Sequence, residues 1–197
     1  MIEMPACPII VDAEPKLVGY FTDQQPTLGG EQNRVSRLGD KWAIRVQTGA
    51  AKYAEEGMTY LARLLRGMTD TVLLTFPEPG VPVQDYGVPV VSTAGASGRL
   101  LPIDGLTPGV VIREGKFLSV VIGGQRFLYQ AAATMTVPIG GAVNLPIYPT
   151  LRRQPPVGAV VELAAPKIEG FVQGNEQSWQ VSRSKYLPFN FSIVERA

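Results

Sequence analysis

At 197 residues the chain can build one domain with a real core or two small ones. Its 45% apolar and 18% charged residues, with a formal net charge of +1, exclude a disordered chain and give no global attraction to nucleic acid. The absence of histidine removes Ser-His-Asp and Cys-His catalysis, histidine-ligated metals and any imidazole base.

The charged fraction lies below the usual quarter of a soluble chain, which suits a surface partly covered by partner subunits and equally an ordinary neutral domain. The 21 Gly and 17 Pro cut the chain into short runs of Val, Ile, Leu and aromatics, the texture of an all-β protein with many turns. The single cysteine, Cys7, permits no internal disulfide and fits a reducing cytoplasm. The start carries no basic segment followed by an apolar run, so no signal peptide is expected. No apolar run approaches the roughly 20 residues that span a bilayer, and no membrane insertion is expected.

In chain order, residues 8–20 read as one or two strands interrupted near Glu14-Pro15, and residues 23–37 as an exposed polar turn or arm. Residues 41–47 alternate, with Trp42, Ile44 and Val46 on one face, and predict a strand. Residues 50–66 predict an amphipathic helix with an apolar stripe of Ala54, Met58, Leu61 and Leu65, widened by Tyr53, Tyr60 and Leu64. Thr48 is its expected N-cap, Gly67 its C-cap glycine, and Arg63 and Arg66 suit the dipole of the last turn. Residues 71–76 follow as an apolar strand stopped by Pro77-Glu78-Pro79-Gly80, and residues 81–85 as a Pro-rich loop.

Phe117 to Ile122 and Gln125 to Gln130, joined by Gly123-Gly124, predict a tight hairpin. Further strands are expected near 99–102, 110–113, 131–137, 142–147 and 159–163, a spacing that suggests a small barrel or sandwich. The tail alternates again over 167–172, 179–182 and 189–195, with Phe189, Phe191, Ile193 and Glu195 on one face. The first region is a strand or two short of closure, so the tail is expected to complete it. The predicted fold is mainly β: a β-sandwich with one packed helix formed by residues 1–80 and 167–197, and an inserted small β-barrel or sandwich over 81–166.

Seventeen carboxylates could hold an acid/base pair, but none stands in a context that marks it as active. Glu55-Glu56 read as solvated, and Asp12 with Glu14 are too few oxygen ligands for a Ca²⁺ loop. Neither glycine-rich phosphate motif occurs. No catalytic residue, cofactor or metal is expected, and the chain reads as a protein that is not an enzyme. Arg152-Arg153 could meet an anionic partner or a carboxylate on a neighbouring chain, although a solvated loop pair is the preferred reading. Together with Arg34 and Arg37 in the arm they are the candidate subunit-contact residues. Trp42 reads as core, whereas Trp179, between Ser178 and Gln180, is the candidate glycan contact.

Four pieces carry a likeness: the Trp42 strand with a helix ending Leu64-Leu65-Arg66-Gly67; Leu73-Leu74-Thr75-Phe76-Pro77 with Gly98, Leu100, Leu101 and Gly105; Arg113-Glu114-Gly115-Lys116-Phe117-Leu118-Ser119 with its hairpin; and Pro149-Thr150-Leu151-Arg152 with Pro155-Pro156, Gly158 and Pro166. In this order they resemble tail proteins of long-tailed bacteriophages, in particular the distal-tail type of baseplate component. Lys116 stands where such proteins usually carry an acidic residue. The resemblance implies a virion protein of the tail, made in the host cytoplasm. Its sandwich would form a ring, commonly a hexamer, around the tail axis, with a second β domain projecting from it. Its partners would be further copies of itself, the tail tube, and baseplate hub or fibre proteins, with copies joined through strand edges and loops. The alternative reading is a host-glycan-binding module of a tail or baseplate, and a two-carboxylate hydrolase ranks last.

Overall fold

The computed structural model describes residues 1–6, 8–82, 84–179 and 185–196. First come β1 (Ile2–Glu3), β2 (Ile10–Val18), β3 (Phe21–Gln24), β4 (Asn33–Ser36), β5 (Lys41–Thr48) and β6 (Ala51–Lys52). A π-helical turn, Tyr53–Gly57, leads into α1 (Met58–Arg66), and β7 (Val72–Thr75) follows. Then come β8 (Gly87–Val91), β9 (Leu100–Leu106), β10 (Val111–Ile112), β11 (Phe117–Ile122), β12 (Gln125–Ala131), β13 (Met135–Thr136), β14 (Val143–Tyr148) and β15 (Val161–Glu162). Last are β16 (Lys167–Val172), β17 (Tyr186–Leu187) and β18 (Asn190–Glu195). Among the described residues the chain is thus mainly β with one short α-helix, as its alternating runs and its Gly/Pro breaks predict. Cys7 and most of the strand expected over 179–182 lie outside the described residues.

One six-stranded sheet has the order β1-β7-β16-β18-β5-β2, antiparallel except where β1 runs beside β7. Every strand in it comes from residues 1–80 or 167–197, and the C-terminal β18 sits between β16 and β5. Trp42, Ile44 and Val46 share a face with Phe191, Ile193, Val172, Ile168 and Leu74, by register and by period 2. Tyr60, Leu61 and Leu64 of α1 join those residues in one core.

The second six-stranded sheet, β15-β11-β12-β14-β9-β8, draws only on residues 81–166. Its outer strands approach each other: Val90 bridges Val160, and Val91 exchanges main-chain hydrogen bonds of 2.9 Å with Ala159 and Gly158. The sheet therefore curls into a nearly closed barrel around its own core of Leu101, Ile103, Leu118, Phe127, Leu145 and Ile147. The β11–β12 hairpin forms in the expected register, and Gly123 and Gly124 turn it at φ 59° and 79°. The barrel leaves and re-enters the first sheet through the neighbouring strands β7 and β16, where the Phe76 N–H donates to Pro166 O at 2.7 Å.

The helix departs from expectation in three ways. It begins at Met58 rather than residue 50, because Ala51 and Lys52 pair with Leu187 and Tyr186. Thr48 is no N-cap: it is buried, donates to Gly49 O at 3.1 Å and accepts the Phe189 N–H at 3.0 Å. The buried stripe is Gly57, Tyr60, Leu61 and Leu64, while Met58 and Leu65 face solvent. Gly67 does end the helix, but at φ −66°, in the right-handed region. Space requires it there, since a Cβ would lie 2.3 Å from Val72 Cγ2 and 2.9 Å from Val172 Cγ2. No helix among the described residues is long and apolar enough to cross a membrane.

Candidate interaction surfaces and the polar seam

The barrel and the first sheet meet through carboxylates. In β12 the even-numbered residues turn their main-chain groups toward β14, yet β14 pairs only at Gln130 and Ala131. Arg126 and Leu128 are left on an open edge inside the protein, where unpaired N–H groups are costly. Side chains of the other sheet fill the gap. Glu169 of β16 accepts the Arg126 N–H at 2.9 Å, and Glu195 of β18 accepts the Leu128 N–H at 2.7 Å.

Glu195 is the centre of this seam. Its side chain is fully buried, and its second oxygen accepts the Trp42 N–H at 2.9 Å. Arg152 donates to it at 2.6 Å and to Leu128 O at 3.2 Å, with the guanidinium 5.3 Å from the rings of Phe127 and Tyr129. Burial alone would lower the Arg152 pKa; the hydrogen bond and charge of Glu195 outweigh it and hold it above the ordinary value. Burial pushes the Tyr129 phenol up, against the nearby Arg152 charge.

Two further clasps flank this centre. Arg126 Nε donates to both oxygens of Glu162 at 3.1 Å; Ser119 Oγ donates to Glu162 at 2.5 Å and accepts the Lys167 N–H at 3.1 Å. On the other side Glu78, in the connection after β7, pairs with buried Lys116 and accepts the Phe117 N–H at 3.0 Å. Phe117 then stacks edge-on against Trp42, with ring centroids 5.0 Å apart, which places Trp42 in the core as its alternation implies. Each of these carboxylates accepts hydrogen bonds from main-chain or cationic donors on another element. The arrangement locks two sheets together, and the buried oxygens of Glu195 are already taken.

The candidate subunit-contact arginines scatter. Arg34 lies in the arm, which is an antiparallel hairpin of β3 and β4. It pairs with Asp23 at 2.6 and 2.9 Å and stacks over the Phe21 ring at 4.4 Å. Asp23 is held below its ordinary pKa by that hydrogen bond first and then by the Arg34 charge. Arg37, at the arm's base, lines a hollow of about 180 Å³ with Asp40, Arg99 and Thr150. Arg153 is exposed, 5.6 Å from the Phe127 ring, whereas Arg152 is not a solvated loop residue: the carboxylate it meets is Glu195 of its own chain. Trp179 is 41% exposed and borders an open groove of about 760 Å³ with Arg45, Gln173, Asn190 and Ser192.

Sequence reasoning overlooked the seam. Its one signal was Glu195 itself, which shares the alternating face of Phe191 and Ile193 and so had to be buried with a partner. Glu162, Glu169 and Arg126 carry no such mark. Apolar side chains are exposed on the arm and its base, at Phe21 (53%), Leu28 (100%), Val35 (41%) and Leu38 (72%), and also elsewhere, at Ile9, Val11, Val88 and Ile139. Compared with protein-family models and with curated proteins, the chain matches none.

Proposed function

We propose that this chain is a structural component of a bacteriophage tail, a ring of distal-tail type that links the tail tube to the baseplate hub or fibres. The observation that carries the reading is the arm, a hairpin on which Phe21, Leu28 and Val35 are exposed by 53%, 100% and 41%. Apolar side chains grouped on one exposed hairpin suit a contact with another molecule. Two further features support it. The first sheet is completed by the C-terminal strand, with the barrel inserted between adjacent strands, and a second β domain beside the first is what the resemblance implies. The seam fixes the barrel to the sheet, which suits a part that transmits load rather than one that opens around a substrate. Such a protein would work from the virion, in copies arranged cyclically, six being common for the type.

Light scattering and electron-microscopic symmetry analysis of the purified protein test the reading, with a closed cyclic oligomer expected. A strictly monomeric protein at high concentration, also missing from purified virions, would refute it.

The second reading, a host-glycan-binding module, is favoured by Trp179 beside a groove with amide and guanidinium side chains. An indole face with planar polar groups around it suits a sugar ring and its hydroxyls. Glycan-array binding that Trp179→Ala abolishes would support it, and no binding to host envelope sugars would remove it.

A further inference from the structure

We infer that the hollow between the base of the arm and the barrel binds a carboxylate, held by Arg37 and Arg99. The site goes beyond the ring reading and does not depend on it.

The hollow has a volume of about 180 Å³. Ser36, Arg37 and Asp40 line it from the end of the arm, and Arg99 and Thr150 from the barrel. Main-chain hydrogen bonds fix both walls. On the barrel side the Leu151 N–H donates to Gly98 O at 2.8 Å and the Ile147 N–H to Arg99 O at 2.9 Å, which sets Arg99 beside Thr150. On the arm side the Arg37 N–H donates to Tyr20 O at 2.8 Å, and Asp40 accepts the Tyr20 N–H at 2.7 Å. Two residues beyond Thr150, Arg152 is anchored on Glu195, so the seam holds the barrel wall against the sheet that carries the arm.

Charge sets this hollow apart. Four larger hollows each hold acidic and basic residues in equal number, as with Glu3 and Arg63 or Arg45 and Glu176. Here two arginines share the lining with one carboxylate, Asp40. Neither arginine reaches a carboxylate within ion-pair distance among the described residues. Two guanidinium groups on one small hollow repel each other, and an anion between them turns that repulsion into two attractions.

The donors suit a carboxylate. Arg99 Nε donates to Thr150 Oγ1 at 3.4 Å, and its guanidinium carbon lies 5.3 Å from the centre of the Tyr148 ring. Both Nη groups of Arg99 then remain, and their planar fork matches the two oxygens of a carboxylate. The Thr150 hydroxyl accepts from Arg99 and still has its own proton to donate. Asp40 selects the charge of the ligand. A carboxylate brings one negative charge and balances the lining, whereas a phosphate, with up to about two charges at pH 7, meets repulsion from Asp40. The carboxylate arrives either on a free small molecule or on an acidic side chain of a neighbouring chain.

The test titrates the full chain with sodium acetate at constant ionic strength, with chloride as the balancing anion, and follows the arginine Nε–H signals by NMR. The Arg37 and Arg99 signals should move saturably, with a dissociation constant on the order of 1–10 mM. Arg99→Gln should weaken binding tenfold or more. Arg99→Lys, which keeps the charge and loses the fork, should weaken it severalfold. Arg66→Gln, outside the hollow, should leave it unchanged. The same titration on assembled particles separates the two sources. Acetate shut out of the assembly supports an acidic side chain of a neighbour, and acetate still admitted supports a free ligand. A linear drift without saturation, an unchanged response in Arg99→Gln, or tighter binding of inorganic phosphate than of acetate overturns the proposal and leaves the ring reading as it stands.

Discussion

Replacing Glu195 by Gln keeps the shape of the side chain and removes its charge. Glu195 accepts three hydrogen bonds, from Trp42 at 2.9 Å, Leu128 at 2.7 Å and Arg152 at 2.6 Å. A glutamine has one acceptor oxygen, and its amide nitrogen must then face a donor. At least one buried N–H loses its partner, and the Arg152 guanidinium, with a side chain only 6% exposed, stays buried without a counter-charge. Removing one member of a buried pair costs about 3–5 kcal/mol. At about 2–4 °C per kcal/mol for a chain of this size, Tm should fall by about 6–20 °C. Arg152→Met should cost less, about 1–3 kcal/mol, because Glu195 keeps both main-chain donors. The double variant pairs a neutral amide with an apolar side chain, so its loss should fall short of the sum by about 1–3 kcal/mol. Urea denaturation followed by circular dichroism measures all three. A Glu195→Gln loss under about 1 kcal/mol, or additivity within about 0.5 kcal/mol, would refute the claim that this carboxylate stands in for a missing strand.

Gly67→Ala at a right-handed residue would ordinarily stabilise, but here its Cβ meets Val72 Cγ2 at 2.3 Å; denaturation should show a loss of about 1–3 kcal/mol, and a gain would contradict the packing argument. Lys116→Glu sets a second carboxylate against Glu78 in a buried site and should cost about 3 kcal/mol or more, with partial recovery in the Lys116→Glu/Glu78→Lys exchange; equal stability of the two variants would remove the pair from the seam. The Asp23 carboxyl titrates below its ordinary 3.8 because Arg34 stabilises the charged form, so the arm's clamp is present above 3.8 and lost as pH falls through the folded value; a carboxyl midpoint at or above 3.8 by carbon NMR would refute it.

Strands that obey local alternation were legible in the chain: β5, β7, β11, β12, β16 and β18 all lie within a residue or two of where the pattern puts them. The turn at Gly123-Gly124 was equally plain, because a two-residue loop needs positive φ. What failed depended on distant partners. The start of α1 is set by Tyr186 and Leu187 across more than 130 residues, and no local propensity reports that. The buried face of α1 is rotated from the expected stripe: Leu61 is shared, Tyr60 and Leu64 move from its margin to its centre, and Met58 and Leu65 face solvent. Gly67 was placed correctly for the wrong reason, as its constraint is the neighbouring valine and not its dihedral angle. Arg152 read as a surface residue because its counter-charge stands 43 residues further on. Buried polar seams are assembled by the tertiary fold, so their members look like ordinary surface residues until the strands are laid side by side.

The insertion of the barrel between two adjacent strands has a consequence for descent. Its two connections leave side by side, at Phe76 and Pro166, so a short hairpin could close the gap in the backbone. The seam makes such an excision costly, since Trp42 would lose Phe117 and Glu195 would keep a buried charge with no Arg152. Any domain exchanged into this position must therefore bring an aromatic ring, a cation and an open strand edge of its own. Inheritance of the insert and of the C-terminal glutamate is tied together, although most of the chain separates Trp42 from Glu195.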